Sequence, residues 1–159
     1  MGLFELLLKR RKFLPLFDKV WTAVSPHLAI AAGPEQAVAH RLACFHYAGV
    51  VYASVYRAAL AAGMSSSTAF PLARLQLGKY PFDDALETAV DALFSADEGS
   101  RERRYAAALE EHLGRIVAAV ATTGTPPEAE IAAELTALER RFAELDFAAG
   151  GLYPPLPAD

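Results

Sequence analysis

EQAVAHRLACFHYAGVVYASVYRAALAA spans Glu35 to Ala62, with Gly33-Pro34 before it and Gly63 after it. The stretch holds no proline and a single glycine, and alanine, the best helix former, recurs throughout. Val38, Leu42, Phe45, Gly49, Tyr52, Tyr56 and Leu60 recur at three- and four-residue steps, the spacing of a buried helical stripe. Gly49 costs roughly 1 kcal/mol of helix propensity relative to alanine. The expected return is close approach of a neighbouring helix. The other side gathers Gln36, His40, Ala43, Tyr47, Val50, Ser54 and Ala58, with Arg57 at its edge. That side is too apolar for plain solvent surface, so it is expected to lie under other helices and to bury a few hydrogen-bonding groups. The segment 35–62 is therefore read as one long central helix with the rest of an all-α fold laid around it.

The surrounding chain supports about six helices and no strand, because no run alternates with period two. Leu3, Leu7, Leu14, Phe17 and Trp21 share one helical face, with Phe4, Leu8, Phe13, Leu16, Val20 and Val24 beside them. Pro15 is expected to break or kink this first segment, since proline removes a backbone donor and crowds the preceding turn. Pro34 suits the first turn of the central helix and Gly63 its C-terminal cap. A short helix ending at Leu77 is expected, with Ser65, Ser66, Ser67 and Thr68 as N-cap choices and Pro71 in its first turn, then another over 81–94 with Phe82, Leu86, Ala89, Val90 and Leu93 inward. Ser100 can cap a helix over 101–122. Thr125-Pro126-Pro127-Glu128 reads as a capping threonine, a proline at the first helical position and a glutamate three residues on. It opens a last helix over 126–149, in which Ile131, Leu135, Leu138, Phe142 and Leu145 form an apolar seam. The last two helices read as an antiparallel hairpin. Residues 1–149 thus form a single helical domain. Residues 150–159 are a Pro-rich extended tail that either straps the core through Leu152 and Tyr153 or offers PPLP as a polyproline ligand.

Composition narrows the function classes. The 159 residues are 53% hydrophobic and 21% charged, which suits a single packed domain and argues against disorder. The net charge of −4 disfavours nucleic-acid binding driven by phosphate neutralisation. Charge is unevenly placed: Lys9, Arg10, Arg11 and Lys12 cluster near the start, whereas residues 80–100 carry Asp83, Asp84, Glu87, Asp91, Asp97 and Glu98 with Lys and Arg absent between Lys79 and Arg101. A single cysteine, Cys44, excludes an intrachain disulfide and fits a cytoplasmic setting. MGLFELLL lacks the preceding charges and cleavage site of a signal peptide, and Leu6 stands where N-myristoylation wants Ser or Thr. The best span candidate, 42–62, contains His46, Ser54, Arg57 and three tyrosines, which argues against a transmembrane helix.

Candidate chemistry is sparse. GMSSST at 63–68 lacks the lysine and the strand of a phosphate loop. His40 and Cys44 share a helix side, but two ligands do not close a zinc site, and Cys44 reads as a buried core thiol. Asp84, Glu87 and Asp91 lack calcium-loop spacing. No metal site and no cofactor is expected. His40, Tyr47, Ser54 and Arg57 lie on one side of the central helix and could line a pocket for a small ligand. Asp83, Asp84, Glu87 and Asp91 could form an acidic docking surface that steers a basic partner, unless KRRK pairs with them inside the molecule.

The expectation from sequence is a non-enzymatic protein-binding module with an acidic docking surface for a partner of basic surface, of the type of toxin-neutralising immunity proteins or small regulatory partners. The alternative is a small-ligand sensor with its pocket beside the central helix. An enzyme using His40 or His112 as base lacks placed partners. Membrane contact through residues 1–21 is the remaining alternative. It is not favoured, because an apolar face running on to Trp21 would leave a large patch if it did not dock on the core.

Overall fold

The computed structural model describes residues 2–30 and 32–159, and among them it is all-helical. Six helices follow in order: α1 Leu3–Val24, α2 Val38–Ala61, α3 Ser66–Leu77, α4 Asp84–Leu93, α5 Arg101–Thr122 and α6 Glu128–Glu144. A single 3₁₀ turn, Ser25–His27, closes α1. No helix among the described residues is long and apolar enough to cross a membrane.

α2 packs against α1, α3, α4 and α5 and buries fourteen of its residues, on both of its sides. Small side chains make this possible. Ala48, Ala53, Ala58 and Ala59 are buried beside Val50, Val51 and Val55, so neighbouring backbones come close. At Gly49 a Cβ would stand 3.1 Å from the Tyr105 hydroxyl and 3.2 Å from Leu109 Cδ1, so α5 crosses where the glycine predicts a close approach. The aromatic stripe closes the core at one end. Phe45 meets the rings of Phe147 and Tyr153 with centroids 5.4 and 5.1 Å apart, and Phe142 lies 4.7 Å from Tyr105. At the other end Tyr52 and Tyr56 stack on Phe94 and Phe70.

Several boundaries differ from the sequence reading. α2 begins at Val38, because Pro34–Ala37 closes a turn of its own through the Ala37 amide and the Pro34 carbonyl, and exposed Glu35 and Gln36 supply no cap. Pro15 does not break α1. It sits exposed on the same outer side as Arg11, so the carbonyl left without its donor faces solvent. α3 starts at Ser66 behind Ser65, one of the expected caps, which puts Pro71 in its second turn and not its first. α6 starts at Glu128 after Pro127, and Thr125 forms no cap bond. It stops at Glu144, because the chain turns over Leu145–Ala149 with Asp146 at φ +49°.

The tail is a strap. After Gly150 and Gly151, both at positive φ, Tyr153 packs on Phe45 and Phe147, and Pro154 is buried. Arg41, itself buried, fixes it: Nε donates to the Pro154 carbonyl at 3.0 Å and Nη2 to the Pro155 carbonyl at 2.7 Å.

Candidate functional site: the outer side of the first helix

α1 carries two apolar sides. Phe13, Val20 and Val24 are its buried residues and define the side that faces the core. Leu3, Phe4, Leu7, Leu8 and Leu14 lie on the other side, over roughly 140° of circumference centred about 150° from the buried set, at 100° per residue. All five are exposed, Leu3 by 76% and Phe4 by 75%. Every side chain over Leu3–Leu8 is exposed. The large patch that the sequence reading treats as reason for docking the helix is therefore present and open.

Cations frame that stripe. Lys9 pairs with Glu5 at 2.8 Å, one turn back on the same helix. Arg10, Arg11 and Lys12 are exposed and form no ion pair or hydrogen bond with the described residues. The cluster therefore does not neutralise the acidic segment at 80–100. Arg11 lies in the stripe one turn beyond Leu7 and Leu8, and Arg10 and Lys12 flank it.

The acidic residues take different roles. Asp83 is the N-cap of α4: its Oδ1 accepts from the Leu86 amide at 2.9 Å, and its carboxylate pairs with the Arg41 guanidinium. Burial pushes the Asp83 carboxyl up, yet the hydrogen bonds from Arg41 and from the Leu86 and Ala85 amides prevail and hold it below its ordinary value. Asp91 accepts from the Tyr52 hydroxyl at 2.6 Å and from Arg74 at 3.3 Å. Asp84 and Glu87, and the neighbouring Asp97 and Glu98, have side chains without a partner among the described residues.

The four candidate pocket residues of α2 are not gathered at one place. His40 lies 3.5 Å from the Cys44 thiol, which burial pushes above its ordinary pKa. Tyr47 packs edge-on against Trp21 and Tyr80. Ser54 is fully buried. Arg57 lies against α5, where a Cβ on Gly114 would stand 2.9 Å from its Nη2. Tyr47 and Arg57 are roughly 15 Å apart along the axis at 1.5 Å per residue.

One residue that the sequence reading passed over lines a real cavity beside α2. His46 opens, with Tyr47, His27, Thr136 and Glu139, into a space of about 190 Å³. Its Nδ1 lies 2.6 Å from the hydroxyl of fully buried Tyr105. Burial pushes the tyrosine pKa far up and the histidine pKa down to about 4, so both are neutral at pH 7. Tyr105 then donates to Nδ1, since the reverse arrangement would leave the phenolic proton unpaired in the core. Periodicity could not point to His46, because the contact depends on where α5 crosses.

His112 is likewise committed. Its Nδ1 lies 2.6 Å from Glu134 on α6, within a network that joins Arg115, Arg141 and Glu111 across the hairpin. Hydrogen bonds from Arg141 and Arg115 bring the Glu111 carboxyl down to about 2.

No protein-family model, curated protein or solved structure matches the chain. Among the described residues no group of three or more His, Cys, Asp or Glu is placed to hold a metal ion. The apolar, cation-framed side of α1 is left without a partner among the described residues.

Proposed function

We propose that this chain is a non-enzymatic docking module that seats on an anionic membrane surface through the outer side of α1. The observation that supports it is the exposed stripe Leu3, Phe4, Leu7, Leu8 and Leu14 beside the unpaired cations Arg10, Arg11 and Lys12. Contiguous apolar surface of this kind marks an interaction site. A helix with leucine and phenylalanine on one side and cations around it is the form that lies in a lipid interface. Each such side chain gains about 1.5–3 kcal/mol on full burial, and each cation about 1 kcal/mol near anionic headgroups.

Co-sedimentation with vesicles tests this reading. The full chain is expected to pellet with phosphatidylcholine vesicles containing phosphatidylglycerol, to stay in solution with phosphatidylcholine alone, and to be released by salt. Leu7→Glu with Leu8→Glu is expected to abolish pelleting while the circular dichroism is unchanged. A full chain that remains in the supernatant with both vesicle types overturns the proposal.

A second reading has its own support. Asp84, Glu87, Asp97 and Glu98 are unpaired carboxylates in a stretch with no Lys or Arg, and suit a protein partner of basic surface, as an immunity protein or regulatory partner would have. Asp84→Lys with Glu87→Lys then abolishes binding to such a partner, with the product of an adjacent reading frame as the probe, and leaves vesicle binding unchanged.

A further inference from the structure

Between α1 and α3 runs a groove of about 560 Å³, separate from the outer stripe and opening on the other flank of α1. Phe13 and Met64, both buried, and half-buried Leu72 form its apolar floor; Leu6 and Leu75, exposed by 38% and 68%, form its walls. Arg10 from α1 and Lys79 from the loop after α3 also line it. Both are exposed, and neither forms an ion pair or side-chain hydrogen bond with the described residues. The volume falls within the range of about 300–1,000 Å³ usual for ligand pockets, and the lining has their composition: mostly apolar, with a few polar groups to fix orientation.

Two features identify the occupant. The first is size. A helix about 10–12 Å across would fill this volume in little more than one turn, so the groove suits a thin, chain-like ligand and not a docked helix. The second is charge. The two unpaired groups that line it are both cations, so the polar end of the ligand is an anion. We infer that the α1–α3 groove binds a single-chain anionic amphiphile, a fatty carboxylate, with its alkyl chain over Phe13, Met64 and Leu72 and its carboxylate between Arg10 and Lys79. The inference stands whether or not the outer stripe meets a membrane. The two are neighbours on one helix, and a carboxylate extracted from or delivered to a lipid surface would have a short path between them.

Isothermal titration of the full chain with dodecanoate below its micelle concentration tests the assignment. Saturable binding of one equivalent is expected, with dodecanol and dodecyltrimethylammonium binding at least about tenfold more weakly, since they lack the charge that Arg10 and Lys79 select. Lys79→Glu is expected to weaken dodecanoate about tenfold, and Leu75→Glu to abolish binding by placing a carboxylate in the apolar wall. Both positions are exposed and lie off α1, so neither substitution threatens the fold or touches the stripe that vesicle binding reads. Absence of saturable dodecanoate binding overturns the inference. So does equal binding of the three probes, and so does dodecanoate binding that neither substitution changes, which would place the chain on the outer stripe instead.

Discussion

α1 and α2 are of nearly equal length, 22 and 24 residues, and both are rich in apolar side chains, yet α1 buries three residues and α2 buries fourteen. The difference lies in side-chain size and in what each helix does with its polar groups. α2 is built on alanine, valine and one glycine, so helices approach from several directions. Of the polar groups it carries inward, Arg41, His46 and Tyr52 each find a long-range partner, whereas the Ser54 hydroxyl and Arg57 Nε find none among the described residues. α1 is built on leucine and phenylalanine with cations interleaved. Its second half packs through Phe13, Val20 and Val24, while its first turns keep their bulk outside and their cations unpaired. Apolar content alone does not assign a helix to the core. The size of the side chains and the side on which they lie do.

The sharpest way to break this comparison is to truncate one large side chain on each helix. Phe45 is fully buried and contacts four aromatic rings. Phe45→Ala is expected to cost about 3–5 kcal/mol in urea denaturation, the usual range for a core phenylalanine. Leu7, half exposed, is expected to change stability by less than about 0.5 kcal/mol on Leu7→Ala. Comparable losses at the two positions would mean that α1 is core in solution and that its outer side is covered.

A second test compares cations. Arg41 is buried and holds Asp83 and the two proline carbonyls of the tail, whereas Arg10 holds nothing in the described chain. Removing one partner of a buried pair typically costs 3–5 kcal/mol; the Asp83 side chain is 31% exposed and can partly rehydrate, so about 3 kcal/mol is expected for Arg41→Met. Arg10→Met is expected to be neutral within about 0.5 kcal/mol. Limited proteolysis supplies a second readout: cleavage after Gly151 should accelerate in the Arg41 variant alone. An unaffected tail would show that Tyr153 packing holds the strap without the guanidinium.

The sequence carries much of this architecture and little of its surface chemistry. Three- and four-residue spacing, Gly63, Ser100 and the Pro126-Pro127 pair mark six helices in the right order, and Gly49 announces the close approach of a neighbour that the fold shows to be α5. Those are local or one-helix signals. The strap by Arg41 joins residues 113 apart, and the Arg41–Asp83 pair joins residues 42 apart, so neither has a local signature. The same holds for the acidic segment. As a sequence it is one charge run; in the fold, Asp83 and Asp91 turn inward to Arg41 and Tyr52, and Asp84 and Glu87 remain outside. The patch on α1 was visible as residues but not as surface. Whether Leu3, Phe4, Leu7 and Leu8 dock depends on which side of α1 the bundle covers, and it covers the side of Phe13, Val20 and Val24.

The smallest expected effect concerns pH and isolates the burial of α2 from the exposure of α1. His46 has a folded pKa of about 4, lowered from 6.5 by burial, with Tyr105 on one side and His27 and Glu139 across the cavity. Between those two values the unfolded chain binds a proton that the folded chain refuses. Stability therefore rises with pH through that window, and it falls as the pH drops from 6.5 towards 4. At about pH 5 the histidine alone withdraws roughly 2 kcal/mol, from 1.36 kcal/mol per pKa unit. Asp83 adds nothing there, since its depressed pKa moves its loss of stability below the ordinary carboxylate range. His46→Gln keeps an acceptor for the Tyr105 hydroxyl and removes the titration. Urea midpoints measured at pH 7 and pH 5 should diverge for the parent chain by that amount and converge for the glutamine variant. Vesicle binding through the outer stripe of α1 does not involve His46, so at constant salt it should hold steady while the fold of the parent chain weakens. A parent chain whose midpoint does not move between the two pH values would place the half-buried His46 imidazole in contact with bulk water instead of against Tyr105.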